Sequence, residues 1–393
     1  MTRSQLRFTT RRRHWSVWIR AVRLVAVLAV VLAGLALMGG SEGLAPLQAE
    51  PDIEAGGLRV SVDTDRNELI LEMEPVELPV GAGHHDSPQP PTQYGVVPVN
   101  AWVHGYTVEM VDGSGRLLPR TLLHHVNIIA PDRRELFSPI MQRIGAAGTE
   151  TAPVALPGWV GYPVDKGDRI LLTGMLHNPT PQAYKDARIR VRMPLSSRER
   201  RIHPLRVYPF YVDVMPPASV HRFDLPPGRS EQSWKGRPAV AGRILGMGGH
   251  LHQHAVALRF EDLTTNQLML ETRPLTDESG ALTGMPQHRM WWRLGLPIRN
   301  DHVYRLTVVY ENPTSDTIHS GGMGALGGII VPRRGSDWPR VDATNPEYRL
   351  DVRLTEAGAA AHRLVMGDLD GAGATSARNG QHTHGTGTPA GRH

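Results

Sequence analysis

The side chains most able to do chemistry in this 393-residue chain are histidines; there are 19 of them, and no cysteine. His124 and His125 are adjacent in Leu122-Leu-His-His-Val-Asn-Ile128, and His177 follows the apolar run Leu171-Leu-Thr-Gly-Met-Leu176. His250, His252 and His254 alternate in Met247-Gly-Gly-His-Leu-His-Gln-His254, and Met323 stands downstream in a glycine-rich stretch. In an extended strand residues i and i+2 share a face, so His250 and His252 can chelate one ion. His254 would share that face as a neighbour rather than a required ligand. Adjacent His124 and His125 cannot both face one side of a regular strand; they can converge at a bulge or a strand end, or one can turn toward the core. Without cysteine there are no disulfides, thiolate metal sites, cysteine-held iron–sulfur clusters or thiol nucleophiles. Imidazole suits zinc, copper, iron and nickel, and a thioether shifts the choice towards copper.

These groups must be carried on a scaffold, and the sequence describes an all-β one. Short alternating runs are punctuated by 41 Gly and 32 Pro, a pattern that favours sandwiches over alternating strands and helices. Strands are expected at 58–62, 69–73, 107–111, 169–173, 187–192, 255–260, 304–310 and 348–353. One helical turn is expected within 131–142. The length suits about two domains of ~150 residues. The expected division is 50–200 and 205–365, joined by an Arg- and Pro-rich stretch from about Pro194 to Pro209. Residues 366–393 lack an apolar period and read as a disordered tail. No internal repeat is evident.

Charge and targeting signals are concentrated at the N-terminus. Seven Arg and no acid occupy residues 1–23, followed by the uncharged run Leu24–Met38. This is the pattern of an export signal within residues 1–49. Extended over residues 21–40, it would instead serve as a signal anchor in the membrane. Either places the body outside the cytoplasm, in the periplasm or cell envelope. The rest of the chain holds 36 basic against 38 acidic residues, which leaves no basic surplus for a nucleic-acid groove. No serine-hydrolase, P-loop or dinucleotide fingerprint is present.

Taken in order, His-His, a His after an apolar strand, His-x-His and a downstream Met resemble the copper type II, ascorbate-dependent monooxygenases. Peptidylglycine α-hydroxylating monooxygenase and dopamine β-monooxygenase are the best-known members. The resemblance spans roughly residues 100–335 and includes Ala155-Leu-Pro-Gly-Trp-Val-Gly-Tyr162, similar to the family's Leu-Pro-x-Gly-Val-Gly segment. It implies two packed, jelly-roll-like β-sandwich domains and two copper ions. One ion would be held by His124, His125 and His177 in the first domain, the other by His250, His252 and Met323 in the second. It further implies hydroxylation of a C–H bond of a small organic substrate, with oxygen and an external reductant such as ascorbate. Two other readings stand beside it. One is non-catalytic copper binding or sequestration on the same fold. The other is a zinc hydrolase using the first three histidines, with Asp132 and Glu135 the acids closest in sequence.

Overall fold

The computed structural model describes residues 53–83, 88–149, 151, 153–215, 221–291 and 295–357. All of them belong to one compact unit within Leu47–His393. The expected signal or anchor, His84, His85, Trp292 and the tail from 366 lie outside them.

The described chain is all-β and folds as two packed sandwiches. Alternation explains the strands: in Glu68–Glu72, Leu69 and Leu71 point inward and are fully buried. Leu58–Asp63, Gly105–Val111, Arg169–Leu176, Tyr184–Ser197, Ala255–Asp262 and Tyr304–Asn312 are strands where the sequence places them. Strands before Val207 form a ten-stranded sheet and a four-stranded sheet, the latter ordered Gln93–Val96, Arg169–Leu176, Leu123–Arg134, Met141–Gly148. Strands after it form a five-stranded sheet, a four-stranded sheet and two small two-stranded ones. No described sheet mixes the two groups. One apolar cluster, from Leu58 to Ile330 and Trp338, nonetheless runs through both.

Two local expectations are corrected. Residues 346–357 are helical, not a strand over 348–353. Asn345 caps this helix by accepting the N–H groups of Glu347 and Tyr348, and Pro346 fits the first turn. Tyr348 and Val352, one helical turn apart, pack on Ile129, Met141 and Leu171. The helical turn expected within 131–142 is instead a strand end and a reversal. The strand Leu123–Arg134 runs on, and the Glu135 carboxylate folds the chain back by accepting the N–H groups of Leu136 and Arg143. The connecting stretch 194–209 also carries a short strand, Leu205–Arg206, paired in parallel with Val160–Gly161.

Glu135 also accepts the Tyr211 N–H, so one buried carboxylate ties the two groups of strands together. Burial pushes this carboxyl up to about 7, against the pull of its three N–H donors and the Arg143 charge. Arg143 pairs with buried Asp351 at 2.6 Å, and the Gln142 amide donates to the Pro209 carbonyl.

Candidate metal centres

The first group of histidines is assembled by a bulge. In the pairing of Leu123–Arg134 with Arg169–Leu176, His125 lies opposite Met175 and Leu123 opposite Leu176, so His124 is the inserted residue. The kink that accompanies such an insertion lets two adjacent side chains approach each other. The His124 ring is 4.9 Å from that of His125 and 5.5 Å from that of His177, centre to centre. His177 continues from its strand, and its N–H donates to the Leu122 carbonyl. The next residue, Asn178, is fully buried and pins the turn. Its amide donates to the carbonyls of Leu78, Pro79 and Gln182, and its oxygen accepts from Thr180.

The second group sits where two strands of the five-stranded sheet end. Gly242–Leu251 and Gly324–Pro332 pair with His250 opposite Ala325 and Leu251 opposite Gly324. Continuing that register places His252 opposite Met323. The Tyr310 hydroxyl fixes this arrangement: it accepts the N–H of His252 at 3.0 Å and of Met323 at 3.2 Å, and donates to the Met323 carbonyl. The His250 and His252 rings are 5.6 Å apart. Burial, then the neighbouring His250 and Arg222, push His252 down to about 4, against a bond to the Gly321 carbonyl. Its imidazole is therefore neutral at ordinary pH, the form that binds a metal.

Glycines treat the two faces of this sheet differently. On the core face a Cβ at Gly324 would come within 2.4 Å of Val308, and one at Gly328 within 2.5 Å of the Gly246 carbonyl. On the His250 face, a Cβ at Gly248 or Gly327 would meet nothing closer than 3.8 or 3.9 Å. The sheet beside His250 is thus a bare backbone floor.

Ring-centre distances set a first condition for imidazoles to share an ion. A metal–nitrogen bond of about 2 Å puts a ring centre about 3 Å from the ion, and two such rings about 4.5–6 Å apart. All three measured separations fall in that range. Among the described residues no group of three or more His, Asp or Glu stands close enough to hold a metal ion, His124, His125 and His177 included. The imidazoles are gathered at ring spacing, and the second group counts only two histidines beside its thioether.

Other candidates are engaged elsewhere. His254 is in a turn with φ 72°, off the strand, so it does not share the face of His250 and His252. His104 bonds the Val160 carbonyl and Ser196 hydroxyl, each at 2.8 Å, and burial lowers its pKa. Asp132 pairs with Arg169, and Glu135 is sealed in the fold, so neither is offered as a hydrolytic base. A cleft of about 550 Å³ lined by Phe137, Trp234, Lys235 and Glu347 contains no histidine. Tyr310 and Asn178 escape a sequence reading, although Asn-Pro-Thr occurs at both 178–180 and 312–314.

No family model and no curated protein matches the chain. Three solved structures are similar to it in part. The major capsid protein P2 of bacteriophage PM2 is 8% identical with a TM-score of 0.35, over 69% of this chain and all of that one. PNGF-II is 7% identical with a TM-score of 0.30, over 74% of this chain and 62% of that one. The VP2 subviral particle of infectious bursal disease virus is 11% identical with a TM-score of 0.23, over 75% and 74%. Likenesses this distant carry no argument about function.

Proposed function

We propose that the protein is an exported copper-dependent monooxygenase acting on a small organic substrate. The observation that carries this reading is the gathering of His124, His125 and His177 around a strand bulge. His124, His125 and His177 would hold one copper, and His250, His252 and Met323 the other. Bound copper supplies one-electron chemistry with oxygen; overall, a C–H bond, O2, two electrons from the reductant and two protons give C–OH and water. Three protein donors leave a coordination position open. Tyr310 holds the backbone of His252 and Met323 in register, and Asn178 holds the turn that presents His177. The bare floor of Gly248 and Gly327 leaves room for substrate beside His250.

The test is oxygen uptake by the copper-loaded protein with ascorbate and a panel of small substrates. Substrate-dependent uptake with hydroxylated product, lost in Met323→Ala, is the expected result. Copper binding with no product from any substrate would favour sequestration.

A further inference from the structure

The imidazole groups leave another surface unexplained. A small apolar cluster of Val160, Val207 and Leu245, with Leu156, Trp291, Ile329 and Val331 against it, reaches the surface at one edge of the ten-stranded sheet. Trp159 stands there 47% exposed, edge-on to Trp291 at 5.5 Å. Its carbonyl accepts the N–H of Leu205, itself 45% exposed, and Ile202 nearby in sequence is 72% exposed. The segment 198–206 that supplies these residues contains Arg198, Arg200, Arg201 and Arg206 against a single acid, Glu199. Arg198 pairs with Asp165, and Arg200 donates to Ser196. Arg201 and Arg206 are exposed, and no ion pair among the described residues engages them.

We infer that this edge is a docking surface for an anionic lipid bilayer, with Trp159, Ile202 and Leu205 entering the interface and Arg201 and Arg206 against the headgroups. Tryptophan and aliphatic side chains partition into the interface, and arginines beside them select negative charge. Exposure alone does not make such a surface. Leu268 is 52% exposed, but it lies opposite Glu261, which pairs with Arg305, so the charge beside it is balanced rather than in surplus as at Arg201 and Arg206. The sequence before Ile53 supplies the second argument. It contains the apolar run Leu24–Met38, and a fully extended chain the length of residues 39–52 reaches about 50 Å at most. Six strand spacings, about 29 Å, separate the first strand of the sheet from Leu205–Arg206 along its path. A chain tethered by its N-terminus can therefore lay this edge on the same membrane. The surface is independent of the copper reading.

The absence of cysteine makes the test direct. Ile202→Cys and, separately, Leu268→Cys are labelled with a nitrobenzoxadiazole fluorophore in the full chain. Each is reconstituted into phosphatidylcholine vesicles with or without phosphatidylglycerol, and quenching by doxyl-labelled lipid is read. The probe at 202 should be quenched in phosphatidylglycerol vesicles only, and the probe at 268 in neither. Adding Arg201→Glu and Arg206→Glu should reduce quenching at 202 at least about fivefold, with copper content unchanged. Absence of quenching at 202, equal quenching at both positions, or indifference to charge reversal would overturn the inference. So would a lipid-free, concentration-dependent blue shift at 202, which would mean that a second copy covers this edge.

Discussion

Both groups of strands contain the same turn, and they use it differently. Asn178 and Asn312 are each buried, donate to backbone carbonyls of their surroundings and accept from a threonine two residues on. The residue before the asparagine is His177 in one turn and Glu311 in the other. In the first half the pinned turn presents an imidazole to a bulged strand. In the second the imidazoles sit on a neighbouring strand end, and Tyr310 rather than the turn holds them in register with Met323. The scaffold is shared while the donors are not. The character of each site is thus decided by a few positions that the fold leaves free.

The largest expected effect separates the two faces of the five-stranded sheet. Gly328→Val drives a side chain into the Gly246 carbonyl and Phe210 and should cost at least about 3 kcal/mol in urea unfolding. Gly248→Val, on the open face, should stay within about 1 kcal/mol of the native chain or stabilise it. Similar losses in both would erase the distinction between a packed face and a floor.

Next in size is the tie between the halves. Burial raises the Glu135 carboxyl from its ordinary 4.5 to about 7 in the folded chain, so the native state holds an extra proton between those limits. Its contribution is fully present below about pH 4.5 and lost as pH rises through 7, about 3 kcal/mol in all. Glu135→Gln should flatten that slope in denaturant titrations across the window. An unchanged slope would mean that the carboxyl titrates normally.

Asn178→Ala and Asn312→Ala should each cost about 2–3 kcal/mol, because buried carbonyls lose their donors. Only Asn178→Ala should weaken copper at the three-histidine group. Tyr310→Phe is the mildest, about 1–2 kcal/mol, and should alter the second group alone. If either variant disturbed both groups equally, the halves would not be separable.

Much of this was legible in the sequence. Alternation located seven strands, and strand geometry left a bulge, a strand end or one inward-turned ring for His124-His125, of which the structure has the bulge. The segment 348–353 was misread because Tyr348, Leu350 and Val352 alternate like a strand; the deciding signal was Asn345-Pro346 just before them. Glu135, Asn178 and Tyr310 could not be assigned roles because their partners are distant in sequence or are backbone atoms. Asn178 reaches Leu78, and Tyr310 bonds the main chain at 252 and 323. No local pattern records such contacts.

The most direct measurement is copper per chain after loading under reducing conditions and dialysis, for the native protein, His177→Ala and Met323→Ala. Two ions in the native chain, falling to one in each variant, are predicted. Two ions retained in both variants, or none bound by the native chain, would contradict the paired-site account.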